Sequence, residues 1–156
     1  MFDFNSYDGG FLIGILIVLF ILLIPFILYL LTLQNTLKAI SPENRRMPPG
    51  NVWLLFIPIF NYVWQFFVVS YIADSIAAEC ERLNIPVTEK RPTFGIGTAK
   101  NILSLAGLII PIIGPLATFA CWIIYWVKVN QYKNLIIANK DNFLLDAERQ
   151  IFNTSS

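Results

Sequence analysis

Trp53-Leu54-Leu55-Phe56-Ile57-Pro58-Ile59-Phe60-Asn61-Tyr62-Val63-Trp64-Gln65 is apolar enough for a lipid bilayer, yet it holds a proline, an asparagine and a glutamine. Pro58 lacks an amide donor and its ring clashes with the preceding turn, so a helix through it must kink or break. Asn61 tolerates the left-handed backbone that a chain reversal often uses. A weaker copy follows at Leu108-Ile109-Ile110-Pro111-Ile112-Ile113-Gly114-Pro115. Both read as two apolar residues, a proline, two more apolar residues and a turn-former, followed by a long aromatic-rich segment. The pattern predicts one design used twice: a short helix, a proline-nucleated reversal and a longer helix back.

The composition around these two motifs is that of a membrane protein. Of 156 residues, 56% are hydrophobic and 13% charged, with 13 phenylalanines and a mean hydropathy of +0.64. Soluble domains carry roughly 25% charge. Net charge is +1, so no global pull toward nucleic acid exists, and there is no histidine. Cys80 and Cys121 have neither a CxxC neighbour nor a histidine partner and read as buried filler rather than a metal or redox site.

Residues 1–10 contain two aspartates and no Lys or Arg, and residues 11–33 are uncharged and apolar. As a helix the latter reach about 35 Å, enough for a bilayer core of roughly 30 Å. The run is too long, and its flank too acidic, for a secretory signal. Pro25 should kink it. Residues 34–50, with Lys38, Arg45, Arg46 and Pro48-Pro49-Gly50, form a basic linker.

Within residues 51–84, the first arm at 52–57 is only about 9 Å long as a helix, far short of a crossing. The second arm starts at Tyr62 and continues with Ile72, Ile76, Cys80 and Leu83 at helical spacing, opposite Asp74, Glu79 and Glu81. It should leave the membrane as an amphipathic arm. Residues 85–96 are a loop, 97–138 a helical hairpin about the second motif, and 139–156 a C-terminal tail that should fray at its end.

Charge chooses the topology. With the N-terminus inside and four plain crossings, Lys38, Arg45 and Arg46 would lie outside. With three crossings and each proline only a kink, Arg82, Lys90, Arg91 and Lys100 would. If the first hairpin is re-entrant, the second spans and the N-terminus is outside, all 11 Lys and Arg fall on the cytoplasmic side. The positive-inside bias favours this last arrangement. The fold class expected is thus an all-α membrane protein: one transmembrane helix plus two proline-broken hairpins, in a bacterial cytoplasmic membrane with the C-terminus inside.

The first motif resembles a family of small bacterial multi-pass membrane proteins known only as a domain of unknown function. The residues that carry the likeness are Trp53, Ile57-Pro58-Ile59-Phe60-Asn61, Trp64-Gln65 and Val68-Val69, with the basic segment from Lys38 to Arg46 before them. The spacing from each Trp to the Pro-Asn core is shifted by a residue or two. The resemblance covers residues 30 to 135 and implies a membrane location and fold type, with no activity to carry over.

Most polar residues have structural readings. Asp74, Glu79 and Glu81 read as a solvated face, with Glu79 and Arg82 pairing at i, i+3. Lys100 is expected to extend its ammonium to the cytoplasmic headgroups, a polar path with Asn101 being the alternative. Gly95-Ile96-Gly97 has no strand before it and is no phosphate loop. Gly10 and Gly14 make one small-xxx-small packing pair. Asn153-Thr154-Ser155 is a glycosylation sequon by pattern only.

Asn61 and Gln65 matter more, because polar groups deep in a membrane segment are costly and often functional. Asn61 is expected to cap the turn and Gln65 to bond a freed carbonyl, with ligand, lipid or partner contact as the alternative. Pro58, Asn61, Trp64, Gln65, Pro111, Gly114 and Pro115 are the structural or contact candidates. Trp53, Trp122, Tyr125, Trp126 and Lys128 are the interface anchors. With no histidine, no serine–base pair and no intramembrane carboxylate, no catalytic, cofactor or metal site is expected. The function expected is a non-enzymatic membrane interaction protein, an accessory subunit or homo-oligomer. Its partners are the bilayer and another membrane chain or itself, not nucleic acid. A small channel or transporter working near Asn61 and Gln65 is the alternative.

Overall fold

A computed structural model describes residues 7–107 and 113–155. Among the described residues the regular structure is all helical: α1 (Tyr7–Ala39), a 3-10 turn (Pro42–Asn44), a 3-10 arm (Pro49–Phe56), α2 (Pro58–Arg82), α3 (Phe94–Ala106) and α4 (Ile113–Ser155). Of these, Gly9–Ala39 alone is long and apolar enough to cross a membrane by length and composition.

Prolines set the first boundaries. A residue before proline is pushed out of the α region. Ser41 before Pro42, Pro48 before Pro49 and Ile57 before Pro58 all have extended ψ values, of 143°, 136° and 109°. Pro58 then occupies the first helical position of α2, where its missing N–H costs nothing. This corrects the expected turn. The break lies at Ile57, and Asn61 sits in the first turn of α2, its amide donating to Ile57 O at 2.8 Å. The first arm is a 3-10 segment of eight residues, longer than the three or four such helices usually reach.

The far end of α2 is closed by Asn84 in the left-handed region, φ 53°. Ile85 N–H donates to Cys80 O at 2.8 Å and Asn84 N–H to Glu81 O at 3.1 Å, a Schellman closure with asparagine in the usual glycine place.

Contacts give the path. Phe56 meets Phe26 edge-on at 5.3 Å, and Trp53 Nε1 donates to Gln34 Oε1 at 3.4 Å, so the arm runs back along α1. Trp64 Nε1 donates to Asn51 O at 2.9 Å, and Arg46 N–H to Ser75 Oγ at 2.9 Å, so α2 returns antiparallel to the arm. Arg91 reaches Asp74 while Lys100 reaches Gln65, which makes α3 antiparallel to α2. Trp126 Nε1 donates to Thr32 Oγ1 at 2.8 Å and Lys140 Nζ to Ala39 O at 3.4 Å, which makes α4 parallel to α1. The core between them is built from Leu30, Leu33, Leu37 and Ile40 of α1, Val68, Ile72, Ile76 and Cys80 of α2, and Tyr125, Val129 and Ile136 of α4. The apolar stripe anticipated on α2 at Ile72, Ile76, Cys80 and Leu83 is buried throughout.

Two expectations change at the C-terminal side. No glycine or proline follows Pro115, and α4 runs unbroken for 43 residues through Ser155 rather than fraying from Asn153. Pro111 and Ile112 of the second turn lie outside the described residues, whereas Pro115 is in the first turn of α4. A Cβ added at Gly10 or Gly14 would meet nothing within 4 Å among the described residues.

Candidate functional site: a central cavity headed by a buried lysine

A cavity of about 430 Å³ lies where α1, the 3-10 arm, α2, α3 and α4 converge. Its walls are mostly apolar, with Phe26 and Tyr29 from α1, Leu55 from the arm and Phe119 and Trp122 from α4. The polar lining is Asn61 and Gln65 of α2, Lys100 and Ser104 of α3, and Thr118 of α4.

Lys100 is the group sequence reading misplaced. It does not extend to a surface; it is 6% exposed, and its Nζ donates to Gln65 Oε1 at 3.2 Å. Gln65, itself buried, therefore answers a lysine rather than a broken-helix carbonyl. The ammonium also lies 5.8 Å from the Tyr125 ring centroid, within cation–π range. The described ion pairs join Glu79 to Arg82, Asp74 to Arg91, Glu89 to Lys128 and Asp146 to Arg149. Among the described residues Lys100 has no carboxylate partner.

Gly97, one turn earlier, explains the burial. A Cβ there would stand 2.5 Å from Val69 Cγ1 and 2.8 Å from Tyr125 Cε2. Only a bare backbone lets α3 come this close to α2 and α4 and carry Lys100 inside. Around the same junction, Thr118 Oγ1, the Tyr125 hydroxyl and both amide atoms of Asn101 are buried without a hydrogen-bond partner. Such orphaned groups are few in folded proteins.

The other site candidates separate. Asn61, Gln65 and Pro115 join the cavity. Trp64 is fixed by Asn51, and Pro58 only starts its helix. Of the anchors, Trp53 is 36% exposed, Trp122 and Trp126 are half-buried against Tyr29, and Lys128 pairs with Glu89 at 3.1 Å. Tyr125 is fully buried between helices, a core residue and not an interface anchor.

The expected Glu79–Arg82 pair is present at 2.7 Å, but it belongs to a buried polar cluster rather than a solvated face. Glu79 is fully buried and accepts from Ser41 Oγ at 2.9 Å, Asn44 Nδ2 at 2.7 Å and Arg82 at 2.7 Å. Burial alone would raise its pKa, but the bonds from Arg82, Asn44 and Ser41 outweigh it and lower the carboxyl from an ordinary 4.5 to about 2. Asp74 is likewise engaged, by Arg91, whose guanidinium stacks 3.9 Å from the Phe94 ring centroid. Glu81 alone of the three is exposed. A carboxylate held ionised to pH 2 cannot serve as a general acid near neutrality. Burial, with Glu79 beside it, pushes the Cys80 thiol up to about 11, which leaves it unreactive. These two clusters are clamps, binding the linker and the 85–93 loop to α2.

Fold and site together define a class: a helical bundle with a broken-helix entry and a lysine-headed, mostly apolar cavity. Comparison of the chain with known protein families, curated proteins and solved structures finds no match in any of the three.

Proposed function

We propose that this chain is a non-enzymatic integral membrane protein that works as an interaction subunit, in a larger membrane complex or with copies of itself. Its N-terminus lies outside, the 3-10 arm and α2 form a re-entrant hairpin, and residues 97–138 form a second hairpin directed to the outer face. The observation that carries this reading is the outer half of α1. Phe11, Leu16 and Phe20 are 70%, 63% and 68% exposed, and their neighbours from Leu12 to Ile21 are exposed as well. A continuous apolar surface of this kind marks a membrane or protein contact.

Direction and charge agree with the insertion. With α1 and α4 parallel and the arm and α3 opposed, Lys38, Arg45, Arg46, Arg82, Lys90, Arg91 and Lys128 gather toward the end where α1 stops. The other end carries exposed Ile59, Val63 and Leu116. Irregular backbone at membrane depth is tolerated only under protein cover, and α1 and α2 supply that cover for the arm.

A second reading, a small carrier or channel, is favoured by the polar groups beside a broken helix, a recurrent arrangement at transport sites. One preparation separates the two. In mild uncharged detergent the protein should run as a dimer or larger, or with a co-purifying membrane chain; a strict monomer with no partner overturns the interaction reading. Solute flux in proteoliposomes that vanishes in Asn61→Leu/Gln65→Leu would establish the second.

A further inference from the structure

We propose that the central cavity binds a single-chain amphiphile with an anionic head, a carboxylate or phosphate monoester, the head meeting Lys100 and Gln65 and the tail lying along the aromatic wall. The inference rests on the membrane reading above for its source of ligand, the surrounding lipid. A buried cation is costly unless paired, and among the described residues Lys100 is met only by the neutral Gln65 amide and the Tyr125 ring. An ammonium has three donors, and the one acceptor it meets among the described residues, Gln65 Oε1, leaves capacity for an anion's oxygens. The Gln65 amide nitrogen and the Asn61 side chain add donors at the same cavity.

The rest of the site excludes other ligand classes. A cationic solute would meet Lys100 with no carboxylate to offset it. A small polar anion would occupy the head region and leave Phe26, Phe119 and Trp122 facing a void. An apolar molecule would leave the ammonium unanswered. A volume of about 430 Å³ falls in the range of small-molecule sites, roughly 300 to 1,000 Å³, and suits one chain rather than a two-chain phospholipid.

The test uses the full chain in an uncharged maltoside detergent at pH 8, with thermal unfolding as readout. Dodecanoate and dodecyl phosphate should raise the midpoint by about 5 to 10 °C at ~100 times their dissociation constant. Native mass spectrometry should show one added amphiphile per chain. Dodecanol, dodecyltrimethylammonium and inorganic phosphate should do neither. The shift should vanish in Lys100→Met, which keeps the stem and drops the charge. It should also vanish in Ser104→Phe, which fills the cavity and keeps the lysine, so the result does not depend on one variant folding. An equal shift with dodecanol, a shift with phosphate alone, no shift with either anionic amphiphile, or a shift that survives in the folded variants overturns the proposal. Failure of the membrane reading is separately visible: the protein would then stay monodisperse with detergent removed, and the binding arms could still be run.

Discussion

Glu79→Ala should lower the stability of the bundle by about 3 kcal/mol and release the linker between α1 and the 3-10 arm. Removing one partner of a buried charge pair costs roughly 3 to 5 kcal/mol. The lower figure applies because the Arg82 side chain is 28% exposed and can recover some hydration. Ser41 and Asn44 also lose their acceptor, so the segment from 41 to 46 is held only by Arg46 on Ser75 and the Arg45 bonds to Ile40 O and Lys38 O. Unfolding in detergent measures the first effect, and faster tryptic cleavage after Arg45 and Arg46 measures the second. The native protein should show the same interaction in its pH dependence. A carboxyl whose folded pKa lies below its unfolded value stabilises above the unfolded value, and that stability is lost as pH falls through the folded one. Between pH 4.5 and about 2 the native chain should lose about 3 kcal/mol that Glu79→Ala does not lose. Equal acid sensitivity of the two would mean that Glu79 is not clamped as described.

Gly97→Leu should be more damaging still, by more than about 3 kcal/mol, since overpacking by a few atoms already costs roughly 1 to 3 kcal/mol. Even alanine places its Cβ within 2.9 Å of both methyls of Val69 and 2.8 Å from the Tyr125 ring, and both residues are buried and cannot retreat into solvent. The effect has a specific partner. Val69→Ala removes two of the three close atoms, so in a double-mutant cycle with Gly97→Ala it should recover part of the loss, a coupling of about 0.5 to 3 kcal/mol. Strict additivity would place the damage elsewhere. Because α3 carries Lys100, Gly97→Leu should also abolish the stabilisation by dodecanoate.

The contrast between Glu79 and Pro58 shows which features a single chain discloses. Proline acts on its immediate neighbour, so the breaks at Ser41, Pro48 and Ile57 are local and legible. Asn61 is a turn-former in general, but Pro58 opens a helix at its own position and so draws Asn61 into the first turn of α2. The stripe from Ile72 to Leu83 was legible because periodicity reports a buried face. Glu79 was not, because its partners Ser41 and Asn44 are 38 and 35 positions away and only the Arg82 pairing is local. The burial of Lys100 is illegible for a related reason. Its burial depends on the missing Cβ of Gly97 meeting Val69 on another helix, although Gly97, Lys100, Asn101 and Ser104 on one face of α3 were a usable sign of close packing. Tyr125 lies in an anchor-like run with Trp122 and Trp126, and only its packing against Tyr29 of α1 marks it as core.

We propose that the chain enters the membrane by α1, dips back in with the arm and α2, spans out and back with residues 97–138, and keeps its basic segments on one side. Single cysteines at Ser6, Glu43, Thr88 and Asn142, in a chain with Cys80 and Cys121 replaced by alanine, test it with an impermeant thiol reagent on intact cells. Ser6→Cys should react at once, while Glu43→Cys, Thr88→Cys and Asn142→Cys should react only after the membrane is opened. Labelling of Glu43→Cys from outside would contradict the account in favour of four plain crossings. Labelling of Thr88→Cys from outside would show that Pro58 merely bends a helix that goes all the way through.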